Sequence, residues 1–131
     1  MSRFSSDTSV FAGRKEHRVS LRAFKSGDDL VVIVSGGDIP HIGAIAVGVP
    51  RPSLKNPNRT SSTVSVFALT GHKDEIIARF VSERMASNLN HMVVVVAGVH
   101  VNEATEQDIE KLVSNSMKCV DMVLRKLKGK A

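Results

Sequence analysis

The 131-residue chain has no tryptophan and no tyrosine, and its aromatic content is five phenylalanines. Proteins that grip single-stranded nucleic acid stack its bases on aromatic rings set among basic side chains. With so few rings available, base stacking has little to work with, and nucleic acid is not an expected partner. Cysteine is nearly absent too. The single Cys119 rules out an internal disulfide and suits a reducing compartment. It falls on the apolar stripe of an expected helix, so it reads as a small buried residue and not as a nucleophile. No apolar run approaches the roughly 18–20 residues that cross a bilayer, and no apolar signal core opens the chain. These absences predict a cytoplasmic protein without a membrane partner.

What is present looks like an ordinary folded domain. Apolar residues make up 42% and charged residues 24%, and the length suits one core that needs no staples. The net charge of +5 is placed unevenly. Arg3, Arg14, Lys15, Arg18, Arg22 and Lys25 crowd the first part, and Arg125, Lys126, Lys128 and Lys130 crowd the last. Such a chain favours anionic partners. The C-terminal cations are most simply a helix end that complements its own dipole.

The pattern predicts a single α/β (α+β) domain in the order β-β-β-β-α-β-α. Residues 1–16, rich in serine and without period, are expected to be a loose arm, and 17–128 to be the domain. Arg18–Phe24 alternates as a strand with one wet face. Leu30–Ser35 and Met92–Val96 are apolar on both faces and should lie centrally. Ile42–Val49 gives a strand with small residues at Gly43, Ala44, Ala46 and Gly48, which permit close approach. A long Pro-rich loop over 50–63 carries Arg51, Lys55 and Arg59 and leads to a strand at Thr63–Leu69. Helices follow over Asp74–Leu89, with Ile76, Ile77, Phe80, Val81, Met85 and Leu89 on one face, and from Thr105 onward. Thr70 or Asp74 would cap the first, and Thr105 with Asp108 forms a capping-box-like start to the second. Four sequential strands favour an antiparallel meander, giving a five-stranded mixed sheet with both helices on one face. The other face then needs a cover, and a homodimer through it is the expectation.

Chemistry gathers at the strand ends. Ser35-Gly36-Gly37-Asp38-Ile39-Pro40-His41-Ile42-Gly43 puts an acid and an imidazole into a turn that Asn-Gly alone could have made. His72 and His100 also sit at strand-to-loop junctions. If those junctions share one end of the sheet, Asp38, His41 and His100 could hold a divalent metal, or the cluster could do acid–base work. Spacing alone favours the plainer account, in which Asp38 caps its own turn and the histidines are surface residues, because Asp-x-x-His is common by chance. Thr70-Gly71-His72-Lys73 at a helix start could bind an anion, with Ser61, Ser62 and Thr63 adding hydroxyl donors. An ordinary helix cap accounts for the same residues, and neither a Walker loop nor a dinucleotide fingerprint is present.

Four segments taken together resemble a known family. Gly-Gly-Asp-Ile-Pro-His-Ile-Gly-Ala (36–44), Ser-Ser-Thr (61–63), Gly-His-Lys-Asp (71–74) and Val-Val-Val-Ala-Gly-Val-His-Val-Asn (94–102) are similar to the LpdD-like proteins. These are prenylated-flavin chaperones, or D subunits, of gallate-type decarboxylase systems, and they share the fold of proteasome-assembly chaperones. The resemblance spans about residues 17–125. It implies a protein that binds prenylated flavin mononucleotide, or flavin mononucleotide, as cargo for a partner decarboxylase and does not itself catalyse. By that resemblance Asp38, His41, Ser61, Ser62, Thr63, His72, Lys73, His100 and Asn102 fall in the family's motifs. Gly43, Arg51, Thr70 and Gly71 complete the expected cofactor-binding set. Two alternatives stand beside this reading: a metal-using enzyme or accessory enzyme subunit built on Asp38, His41 and His100, and an assembly factor with no small-molecule ligand.

Overall fold

Period-2 alternation with valine and isoleucine on the buried side decides where the strands run, and the most apolar of them take the centre. The computed structural model describes residues 7–70 and 72–129, with the side chain of His72 also outside that description. Its elements are β1 (Thr8–Ala12), β2 (Val19–Ser26), β3 (Asp29–Gly37), β4 (Ala44–Pro52), β5 (Thr60–Ala68), α1 (His72–Leu89), β6 (Val93–His100) and α2 (Glu106–Lys128). They form one six-stranded mixed sheet in the order β1-β2-β3-β6-β4-β5.

Three expectations are corrected here. The segment read as a loose arm contains β1, because Thr8 and Val10 bury their side chains while the backbone pairs with β2 through Thr8↔Ala23 to Ala12↔Val19. The sheet therefore has a sixth strand. The long loop over 50–63 shrinks to 53–59, since β4 and β5 stay paired out to Pro52↔Thr60. Prolines fit there because β6 pairs with β4 only from Ala44 to Gly48, leaving Pro50 and Pro52 on a free edge where no amide is needed. The expected meander is interrupted. After α1, β6 inserts between β3 and β4, parallel to the first and antiparallel to the second.

Both helices pack on one face. Their apolar residues meet Val19, Leu21, Val32, Val34, Ala44, Ala46, Val93, Val95 and Ala97 in a single core. The stripe of α1 differs from the one predicted. Ile77, Ala78, Val81, Met85 and Ala86 are buried, whereas Ile76 and Phe80 are exposed. Small residues let the helix sit close: a β-carbon on Gly48 would press on the Ser82 carbonyl. The second helix starts as predicted, with Thr105 and Asp108 in a reciprocal capping box. Cys119 is buried in the core, its thiol 3.4 Å from the Val19 carbonyl. Opposite the helices, alternation turns Val31, Ile33, Ile45, Val47, Val94 and Val96 outward, and Phe67 is 75% exposed beside them. Among the described residues no helix is long and apolar enough to cross a membrane.

Candidate functional site

Because β6 lies between β3 and β4, the chain leaving β3 must step over the end of β6, a span of roughly 10 Å. It does so as a strap and not as a hairpin turn. The Asp38 and Ile39 amides donate to the His100 carbonyl at 2.6 and 3.5 Å, and the Gly43 amide donates to the Ala97 carbonyl at 2.9 Å. Glycine is required at the contacts. A β-carbon on Gly98 would overlap the His41 carbonyl, and one on Gly37, at φ +80°, would overlap the His100 backbone.

The strap and the end of β6 bring the polar residues together. Asp38 Oδ2 accepts from the Asn102 amide at 3.3 Å, and His100 Nε2 lies 3.0 Å from Asn102 Oδ1. The rings of His41 and His100 meet edge to face, their centroids 6.0 Å apart. Beneath them, α1 supplies Asp74, whose side chain is 1% exposed. Its Oδ1 accepts from the Val99 amide at 3.0 Å, and its Oδ2 lies 3.1 Å from His41 Nε2. That contact is within hydrogen-bond length but off the line of the N–H, so Oδ2 lacks a well-aligned partner. The other ring nitrogen of His41 is 3.3 Å from the Ile39 carbonyl. Gly43 leaves the space that the Asp74 carboxylate occupies.

Asp38, His41, Gly43, His100 and Asn102 therefore converge as the shared-end argument required. Thr70 and Lys73 border them: the Thr70 amide donates to the Gly43 carbonyl at 2.9 Å, and Lys73 is half-buried in the first turn of α1. Gly71 and the His72 side chain, also expected in the site, lie outside the described residues. The remaining members of the expected set sit elsewhere. Arg51 follows Ala44 by seven residues of extended strand, roughly 23 Å. There its Nε donates to Thr63 Oγ1 at 2.8 Å. Ser62 is buried under α1, donating to the Glu83 carbonyl at 3.0 Å and meeting Ser87 Oγ at 2.9 Å. Ser61 lines a separate groove of about 580 Å³ with Phe80, Glu83 and Val113. Strand length separates these four residues from the histidines, so one pocket holding all of them is not formed.

The expected metal set is not assembled either. Among the described residues no three His, Cys, Asp or Glu side chains are grouped to hold a metal ion. Asp38 and His100 turn to Asn102 while His41 turns to Asp74.

Sequence reasoning missed Asp74 as a site residue and offered it only as a helix cap. It is not one, for it lies inside α1 and accepts from β6. The signal was available: Asp74 precedes the buried Ile77, Ala78 and Val81 by three, four and seven residues, a charge on the apolar stripe. His17 was also passed over. It lies 2.7 Å from Asp108 Oδ1, and its carbonyl accepts from Asn115 Nδ2 at 2.8 Å, tying the turn before β2 to α2. The Thr105 amide, the His17 ring and the Thr105 hydroxyl hold the Asp108 carboxyl down to about 2.

A helix pair on one sheet face, with a histidine–carboxylate cluster strapped across one end, defines a small α/β domain whose polar residues gather where β6 ends. Residues 13–128 match the model of the prenylated flavin chaperone LpdD-like domain, and the chain belongs to that family. Protein LpdD of Lactiplantibacillus plantarum is 32% identical over 87 residues, which cover 63% of this chain and 57% of that protein. The match thus spans little more than half the length of that relative. A chain in the crystal structure of a novel chaperone complex for yeast 20S proteasome assembly has the same fold, with a TM-score of 0.56 and 12% identity. That likeness covers 94% of this chain and 96% of the yeast one. The family and fold read from the four motifs are thereby shown.

Proposed function

We propose that this protein binds prenylated flavin mononucleotide as cargo and passes it to a prenylated-flavin-dependent aromatic-acid decarboxylase, as an accessory subunit and not as the catalyst. The observation that carries the reading is the convergence of Asp38, His41, Asp74, His100 and Asn102 at one end of the sheet, inside the stretch that matches the family. Hydrogen-bonding groups dominate there, and the exposed apolar side chains of Ile39 and Ile42 on the strap give a ring system a surface to lie against. The phosphate end of the cargo is assigned to the start of α1 beside Thr70 and Lys73, where helix amides and an ammonium favour an anion. The protein works in the cytoplasm as a homodimer whose second copy covers the open sheet face.

Titration of the purified protein with prenylated and with plain flavin mononucleotide, read by flavin fluorescence, tests the reading. Saturable binding of the prenylated form is expected; a folded protein that binds neither form overturns it. The open apolar face supports a second reading, an assembly factor that recognises the decarboxylase through Val47, Val94 and Phe67 with no small molecule. Capture of the decarboxylase by flavin-free protein would favour it over cargo delivery.

A further inference from the structure

Asp74 is an acid where the fold wants an apolar residue, and burying a carboxylate is costly unless something answers it. The Val99 amide satisfies one oxygen, and the other faces only His41. The fold is shaped around this contact: Gly43 vacates the space for the carboxylate, and Gly98 vacates the space for the His41 backbone. His41 is itself 30% exposed, so the dyad runs from the core to the surface. A carboxylate behind an imidazole fixes which nitrogen carries the proton and how the ring lies.

Resting on the flavin reading above, we propose that Asp74 is a positioning residue. It holds His41 with Nε2–H turned inward and the Nδ1 edge outward, to read an uncharged heteroaromatic edge bearing N–H and C=O groups, the ring of the cargo and not its phosphate. Charge decides between ring and phosphate. Apart from Lys73, which borders the cluster in the first turn of α1 and is assigned above to the phosphate, the fixed charges gathered with His41 are the carboxylates of Asp38 and Asp74, and among the described residues no arginine is bonded to the cluster. A phosphate dianion against this imidazole would face both acids. A neutral edge meets a complementary set instead: the acceptors Asp38 and Asn102 Oδ1 together with the ring nitrogens of His41 and His100. With Nε2–H turned to Asp74, Nδ1 is a bare acceptor 3.3 Å from the Ile39 carbonyl, and an N–H brought in by the ligand relieves that contact of two acceptors. A ligand that seats the ring would bring Nε2–H into line with Asp74 Oδ2.

Long-range ¹⁵N–¹H correlation spectra of the histidine-labelled full chain test this directly. The wild-type protein is expected to show His41 protonated at Nε2, and a His41 found as the Nδ1–H tautomer overturns the proposal. Riboflavin, which has the ring without phosphate, is expected to shift the His41 nitrogens, whereas inorganic phosphate at the same concentration leaves them unmoved. A response to phosphate alone, or to neither probe, overturns the ring assignment. Asp74→Asn should release the tautomer and weaken riboflavin binding roughly tenfold, the scale of one hydrogen bond to a charged group. If that variant does not fold, the wild-type tautomer and the two titrations still decide. Should flavin mononucleotide fail to bind anywhere while His41 shows the Nε2–H tautomer, the cargo reading falls and the positioning role of Asp74 stands.

Discussion

Gly43 and Asp74 compete for one space, and the carboxylate has it: a β-carbon at position 43 would overlap Asp74 Oδ2. The two residues come from separate elements, the entry to β4 and the first turn of α1, so this contact locks strap to helix. The motif glycine and the motif acid are a matched pair.

Gly43→Ala should therefore destabilise the fold by about 1–3 kcal/mol, the range for forcing a methyl into packed space. Urea unfolding of the variant beside the wild type measures it. A variant as stable as the parent would show that the carboxylate has somewhere else to go.

The Asp108 carboxyl gives an acid limb to stability. Hydrogen bonds from the Thr105 amide, the His17 ring and the Thr105 hydroxyl hold it at about 2, below its ordinary value near 3.8. A group depressed in the folded state contributes stability that is complete above the unfolded pKa and is lost as pH falls through the folded one. Between pH 4 and pH 2 the wild type should lose stability faster than Asp108→Asn. Parallel urea midpoints for the two proteins across that window would count against this account.

Burial pushes the Cys119 thiol up to about 11 and closes it to solvent. At pH 8 the native protein should be inert to a thiol reagent, with labelling that appears only as urea unfolds the core. Rapid labelling without denaturant would mean that α2 lifts from β2 far below the global transition.

Self-association through the open face predicts that Val47→Lys lowers the mass in solution to that of one chain while leaving the circular dichroism unchanged. Light scattering on a gel-filtration column reads the outcome. A wild type that already elutes as a single chain would remove the homodimer, and with it the expected cover over Val31, Ile33 and Val94.

Much of the architecture was legible. Alternation located the strands from β2 to β6, and the Thr105–Asp108 spacing located the start of α2, because both rest on short-range chemistry. β1 escaped since its five residues carry one polar and one apolar buried side chain, Thr8 and Val10, too little to reveal a period. The strand order escaped for another reason. Where β6 lies is settled by which strands need two neighbours, and that is a competition across the whole chain. The site followed the same division. Asp38, His41, His100 and Asn102 were readable because each lies at or shortly past the end of a strand, whereas Arg51 and Ser61–Thr63 were misplaced for want of the register that carries them to the far end of β4. Asp74 was hidden by phase, since Ile76 and Phe80 drew the helix face one position away from the true stripe.

The insertion of β6 between β3 and β4 also fixes when the histidine–carboxylate cluster can first form. The strand at the centre of the sheet is the last to be synthesised, so a chain emerging from the ribosome has its outer strands without the one that joins them. Until His100 arrives, the strap has nothing to cross and Asp74 has no amide from Val99 to accept. Partial chains, including any truncated before β6, thus lack the assembled site, which belongs only to molecules whose folding is finished.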